Sequence, residues 1–325
     1  MGNSGSVGET MKAVVMSGIS GRKFVTDKPV PQAKEDEVIV EVRAIGINPV
    51  DYKLQAMALF KPGQILGYDV AGVVKEVGNG VKDFAKGDRV FGSANGSYAE
   101  FAQCKAGSLA KVPDFLSFVQ CAALPVTYQT AYKGLTQFGY QKGQSLLIIG
   151  ASGGAGTAAV TLGRAIGGPE ANIIAVCSGK NEQLVKDLGA NQVIDYTKET
   201  PLAALGKESV DFVYDAASFS GGGENYFGQG KELIKKDGMF VALNGALSNW
   251  VRLLTGTQAK NQKIFLADQK GDDLRAIVKL LKEQNAEPVI GKVLEFNAEN
   301  VEEAIADLHS RRTKGKIILT IGSQD

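Results

Sequence analysis

The chain has 325 residues, 44% of them apolar, with 36 basic against 35 acidic side chains and a formal net charge of +1. That length holds two domains of ordinary size, and the charge balance speaks against a nucleic-acid surface, which needs a basic excess. Its three cysteines, Cys104, Cys121 and Cys177, stand far apart, so they build neither a disulfide framework nor a thiolate zinc site; a reducing compartment such as the cytoplasm is implied. No apolar run reaches the ~18 residues that a membrane span needs.

The first ten residues are small and polar and read as a disordered tail. They also satisfy M-G-x-x-x-[ST] for N-myristoylation, with Gly2 and Ser6 in place. No cysteine or basic cluster nearby supplies the second signal that stable anchoring needs, so only a weak membrane contact would follow. A sequence introduced by cloning fits the same stretch.

From Met11 to Leu124 the pattern is one of short strands. Lys12–Met16 comes first. Val38–Ile47 follows, where Val38, Val40 and Val42 alternate with Ile39, Glu41 and Arg43 as in a sheet with one wet face. Asn48-Pro49-Val50-Asp51-Tyr52 reads as an abrupt turn, because Pro49 excludes the helical region for Asn48. Gly67–Gly78, Lys86–Phe91 and Tyr98–Ala102 complete a barrel-like β module.

After Pro125 helices alternate with buried strands, expected at 146–150, 172–178, 192–196, 211–217, 239–245 and 263–267. Between the first two lies Gly150-Ala151-Ser152-Gly153-Gly154-Ala155-Gly156, followed by a run of helix formers. Strand, glycine turn, helix and strand within about thirty residues make a dinucleotide-binding unit. Its glycines allow a tight turn, close approach of backbone N–H groups to a pyrophosphate, and close helix–strand packing. A helix over Gln183–Leu188 is closed by Gly189; further on the pattern gives a helix at Asp273–Glu283, a strand at Ile290–Phe296, a helix at Val301–Arg311 and a last strand at Lys316–Ile321. The fold class is α/β: a doubly wound six-stranded parallel sheet beside a β domain.

The cofactor can be read from the end of the second parallel strand. NAD-preferring sheets place Asp or Glu there, for the ribose 2′-OH; here the strand runs into Ser178-Gly179-Lys180-Asn181. Ser178 and Lys180 can donate to a 2′-phosphate, so NADPH is expected.

These residues resemble the medium-chain dehydrogenase/reductase superfamily in its zinc-free quinone oxidoreductase branch. The resemblance is carried by Asn48-Pro49-Val50-Asp51, Gly72-Val73-Val74 through Val77-Gly78, Lys86–Val90, Ala123-Leu124-Pro125, the glycine turn, Leu188-Gly189-Ala190 and Gly315-Lys316-Ile317. It implies a GroES-like catalytic domain (11–124 and 288–325) interrupted by a Rossmann domain (125–287), the last strands returning to the first domain. It also implies Asn48 near the nicotinamide and acceptor, Thr127 near the nicotinamide ring, Tyr196 beside the 2′-phosphate, and Leu243, Asn244 and Gly245 at the carboxamide. A homodimer through Lys263–Ala267 is implied as well.

Zinc members of the superfamily carry a cysteine near the first turn and a Gly-His-Glu further on. Here the corresponding segments read Asn48–Asp51 and Gly67-Tyr68-Asp69, and the sole histidine, His309, reads as a surface residue beside Arg311 and Arg312. Metal-free hydride transfer from NADPH to a quinone follows, with an alkenal or enone as the alternative acceptor. A nucleotide-binding sensor or structural subunit without catalysis is the reading from another class. Tyr52 is the candidate proton donor, since a phenol can hydrogen-bond a developing enolate; a tyrosine packing the domain interface reads equally well. Tyr68 and Tyr128 are weaker candidates, and Asp51 and Asp69 read as residues that shape the turn or support the site.

Overall fold

The computed structural model describes residues 9–18, 21–56 and 61–322. Gly2 and Ser6 lie outside the described residues, with most of the stretch read as a tail. Glu9 already pairs with Lys75 at 3.1 Å, and the first strand begins at Thr10.

The first half comprises β1 (Thr10–Ser17), β2 (Gly21–Pro29), β3 (Glu37–Gly46), α1 (Pro49–Ala56), β4 (Asp69–Val77), β5 (Arg89–Ser93), β6 (Phe101–Lys105), β7 (Leu109–Lys111), α2 (Phe118–Ala122) and α3 (Pro125–Thr136). The parallel region holds β8 (Leu146–Ile149), α4 (Gly154–Gly167), β9 (Ile173–Cys177), α5 (Glu182–Asp187), β10 (Gln192–Asp195), α6 (Pro201–Leu205), β11 (Val210–Asp215), α7 (Phe227–Leu233), β12 (Ile234–Ala242), α8 (Leu247–Leu254) and β13 (Gln262–Ile264). The chain closes with α9 (Gly271–Glu283), β14 (Ile290–Glu295), α10 (Ala298–Ser310) and β15 (Lys316–Thr320).

Two larger sheets result. The six-stranded one has the order β10-β9-β8-β11-β12-β13, all parallel, with its sequence order reversing between β8 and β11. In such sheets ligands bind outside the carboxyl ends of the strands at that reversal. The seven-stranded one has the order β14-β15-β3-β4-β5-β7, with β6 also on β3. β15 pairs antiparallel with β3, so the chain's last strand does return to its first large sheet. One apolar cluster runs from Ala71 and Phe91 through Phe118, Leu124 and Tyr128 to Ile148 and Tyr214, and so packs both sheets onto α2 and α3.

Several local readings change, and the strand expected at Tyr98–Ala102 is displaced to Phe101–Lys105, where it pairs with β3. The abrupt turn at Asn48–Tyr52 opens α1: Pro49 takes the first helical position, where its missing N–H costs nothing, and the Asp51 carboxylate accepts from Asn48 N at 2.9 Å. β12 starts at Ile234 instead of 239, because Val210 pairs with Ile234 ahead of a register shift. β13 is three residues long, not five; beyond Ile264 the chain leaves β12, and Leu266 is 73% exposed.

Candidate active site

The glycine turn is built by backbone. After β8, Gly150 takes φ +81°, and the N–H groups of Gly150 and Ala151 both donate to Val176 O, at 3.1 and 3.0 Å, which swings the chain off the sheet. Gly153 caps α4, whose first N–H groups, from Gly154, Ala155 and Gly156, have no partner within the helix. A Cβ on Gly156 would lie 2.1 Å from Gly150 O, so no other residue fits that fold-back. Ser152 Oγ accepts from Asn181 Nδ2 at 2.9 Å, which leaves the serine proton free to donate outward. The Asn181 carbonyl oxygen is buried without a partner. The N–H groups of Ala155 and Gly156 at the helix N-terminus (that of Gly154 faces Gly315 O in the bridge to Gly153), a glycine cradle and a free hydroxyl fit a pyrophosphate.

Neighbouring strand ends bring further residues to the same edge. Ser178 follows β9, and Lys180 stands exposed on the short turn Gly179–Asn181. Tyr196 follows β10 and is 55% exposed. Sequence reasoning found no acid at the tip of β9, but the register sets Asp195 opposite Cys177. Its carboxylate accepts from Gly179 N and from the Thr197 amide and hydroxyl, and these bonds hold its pKa below the usual carboxylate range. The clue was available only from strand pairing, since Asp195 belongs to the next strand. Leu243, Asn244 and Gly245 follow β12; Leu243 N donates to Asp215 O at 2.9 Å, and Gly245 O accepts from Trp250 Nε1 at 3.1 Å. Thr127, on α3, donates to Ala123 O at 2.7 Å and turns its methyl toward Gly154, 3.2 Å from where a Cβ would sit.

The facing wall belongs to the seven-stranded sheet. Asn48, at the end of β3, is wholly buried, and its carboxamide is engaged inward: Nδ2 donates to Gly46 O at 3.2 Å and Oδ1 accepts from Lys316 Nζ at 2.6 Å. Lys316 also donates to Ile47 O at 2.9 Å and to Asp69 Oδ2 at 3.0 Å. Asp69 Oδ1 accepts from Val126 N at 2.9 Å, at the start of α3. Asp51 is buried with Tyr98, whose hydroxyl donates to it at 2.7 Å. Burial, helped by the charge of Asp69, pushes the Asp51 carboxyl up to about 7 against the opposing bonds from Tyr98 and Asn48 and the Lys316 charge. Burial also raises Asp69, opposed first by Lys316. Asp51 and Asp69 are thus both buried and hydrogen-bonded within the wall.

Tyr52, half-buried on α1, stacks on His309 of α10 with ring centroids 4.1 Å apart. Burial raises its pKa, so the phenol keeps its proton as a donor must. His309 is exposed, as expected, but it is not alone, because the stack ties it to α1. Tyr68 is partly buried and Tyr128 fully, with the Thr161 hydroxyl beside its own. In the sequence Lys316 stands out only as a lysine opening a strand whose next three residues, Ile317, Ile318 and Leu319, are all fully buried.

Residues 34–114 match the family profile of the alcohol dehydrogenase GroES-like domain, and residues 188–319 that of the zinc-binding dehydrogenases. A 2-methylene-furan-3-one reductase from Solanum lycopersicum is 33% identical over 315 residues, covering 91% of this chain and 75% of the relative. The chain belongs to the medium-chain dehydrogenase/reductase superfamily, in its quinone oxidoreductase branch. An NADPH-dependent alkenal/one oxidoreductase from Arabidopsis thaliana is 31% identical over 332 residues, covering 97% and 80%. The solved quinone oxidoreductase of Coxiella burnetii superposes with a TM-score of 0.82 at 26% identity, covering 97% of this chain and 100% of that one. The zinc in the second profile's description does not fit these residues. Where the superfamily's zinc members carry a cysteine and a Gly-His-Glu, this chain has an amide, a phenol and a carboxylate, and the ammonium of Lys316 bonds that amide and that carboxylate. Among the described residues no group of three or more His, Cys, Asp or Glu is arranged to hold a metal ion.

Proposed function

We propose that this member of the superfamily is an NADPH-dependent oxidoreductase that passes hydride, without a metal, to an electron-poor acceptor, a quinone or an α,β-unsaturated carbonyl. The observation that carries it is the meeting of the two walls: the glycine turn of one, backed by Thr127, lies against Lys316 of the other. When bound, NADPH supplies the hydride. The turn from Gly150 to Gly156 holds the pyrophosphate, while Ser178, Lys180 and Tyr196 read the 2′-phosphate. Leu243, Asn244 and Gly245 bond the carboxamide, and Thr127 backs the nicotinamide side. Asn48 shapes the floor from within, through its inward bonds. Tyr52 Oη donates to the oxygen of the developing enolate.

The half-buried phenol of Tyr52 supports the enone as the acceptor. A quinone draws protons from water, whereas an enolate benefits from the placed phenol of Tyr52. NADPH oxidation measured against a panel of simple quinones and 2-alkenals tests the reading. Turnover of 2-alkenals is expected; NADPH binding without consumption of any acceptor would leave a cofactor-sensing or structural protein.

The division of labour follows the two sheets, with 11–124 and 288–325 as the catalytic unit and 125–287 as the NADPH-binding unit. We place the protein in the cytoplasm as a homodimer joined along Lys263–Ala267. β13 ends the six-stranded sheet, and the large exposed side chains Leu247, Leu254 and Leu266 lie on or just after the elements beside it. Light scattering at micromolar concentration should give twice the chain mass. No helix among the described residues is long and apolar enough to cross a membrane. A weak membrane contact through myristoylated Gly2 is checked by the intact mass of the protein from its native cell.

A further inference from the structure

Lys316 opens β15 with only 3% of its surface exposed. An ammonium has three N–H groups, and here three oxygens surround it, on Ile47, Asn48 and Asp69. Its position is therefore fully determined. An ammonium cannot accept, so it also decides which end of the Asn48 carboxamide faces it: the oxygen turns to Lys316, and the nitrogen is left to Gly46 O and the Asp69 carboxylate. Asp69 accepts from Lys316, from the Asn48 side chain and from Val126 N, which ties the ammonium to the start of the helix that carries Thr127. The lysine stem runs past the glycine turn, its Cδ 3.3 Å from where a Gly154 Cβ would sit. One residue back, Gly315 N donates to Ser152 O at 3.0 Å and forms a parallel bridge with Gly153.

We propose that Lys316 is a positioning residue, a built-in cation that locks Asn48 and Asp69 in one arrangement against the glycine turn and so sets the floor of the acceptor site relative to the bound dinucleotide. The proposal rests on the functional reading above. In the zinc members the first turn and the Gly-His-Glu are joined through a metal; here the same two segments are joined by an ammonium from the chain's last strand. Asp69 keeps the assembly close to neutral, as a buried charge requires. A buried ion pair is replaceable for stability alone, because apolar or neutral residues of similar size often hold a fold equally well. What a methionine in place of the ammonium cannot do is donate to Asn48 Oδ1.

That difference supplies the test. Lys316→Met alone leaves Asp69 buried and unpaired, and so confuses unfolding with lost positioning. Lys316→Met combined with Asp69→Asn removes both charges and keeps an acceptor for Val126 N. The double variant is expected to melt within a few degrees of the wild type and to bind NADPH within about threefold of it. Its kcat should fall about 10²-fold, the cost of misplacing reacting groups by around an ångström. The emission maximum of bound NADPH, which reports the surroundings of the nicotinamide, should shift. Recovery of kcat to near the wild-type value, with unchanged emission, overturns the proposal and makes Lys316 a structural residue only. If the wild type binds NADPH but turns over no acceptor, the functional reading fails, and the emission of the double variant decides the role of Lys316. A wild type that does not bind NADPH overturns both.

Discussion

On the parallel-sheet wall of the cleft, polar side chains stand in water at the strand ends: Lys180 and Tyr196 are exposed and Ser178 partly so. On the opposite wall Asn48, Asp51, Asp69 and Lys316 all lie in the interior, each bonded to another protein group. The first wall meets a ligand that brings its own charge, so it needs donors that a phosphate can reach and backbone that can come close. The second has no such counter-charge to wait for and balances its charges internally. Wet groups can be exchanged singly at modest cost; dry ones are coupled, and removing one strands its partner.

The sharpest test of the backbone-built wall is a single methyl group. Gly156→Ala would push Cβ against Gly150 O at 2.1 Å and the Ala151 backbone at 2.7 Å, so a loss of about 3 kcal/mol is expected in denaturant melts. Gly154→Ala meets the Thr127 methyl at 3.2 Å and Gly315 O and the Lys316 stem at 3.3 Å, all over an ångström farther off than Gly150 O is from a Gly156 Cβ, and should cost under about 1 kcal/mol. Equal losses would show that fold-back geometry is not what selects glycine here.

Tyr52→Phe should lower kcat with an enone about 10²-fold while NADPH binding holds. An unchanged kcat would reduce Tyr52 to a side chain packing α1 on α10. On the wet wall, Lys180→Ala should weaken NADPH by tenfold to about a hundredfold and leave NADH nearly unchanged. Parallel losses for the two cofactors would remove the 2′-phosphate from its role.

The dry wall has a signature in pH. Asp51 holds its proton up to about 7 in the fold, against an ordinary value of 3.8. Between those values the unfolded chain binds fewer protons, so stability falls as pH rises through the window, by at most about 1.4 kcal/mol per pH unit. Asp51→Asn should flatten that fall in melts between pH 4 and 7. A slope that survives intact would mean that Asp51 is ionised in the fold.

How much of this was legible in the sequence follows the same division. The glycine turn is local: strand, turn and helix are neighbours in the chain, so Gly150 to Gly156 declared themselves by spacing. Ser178 and Lys180 could be placed because they end a strand. The buried wall is assembled from residues 48–51, 69, 98 and 316, and no local pattern announces that these meet. Lys316 in particular looks like an ordinary strand-end lysine until β15 is paired with β3. Asp195 escaped notice for the same reason, since its approach to Gly179 depends on register between strands. α1 was lost to a local rule applied one residue too far: Pro49 keeps Asn48 out of the helix but serves well as its first residue.

The place of β15 between β14 and β3 has a consequence for the order in which the protein is made. Chains emerge from the ribosome N-terminus first and tend to fold as units become available. The six parallel strands are all present once Ile264 has emerged, so that sheet can close while translation continues. β3 must wait for the far end of the chain before its edge is covered, because Gly46 pairs with Ile318. Such long-range pairing is slow to form. Lys316, which on the role proposed for it completes the floor, is thus among the last residues to be synthesised, and a chain released before it would hold the six parallel strands without that cation.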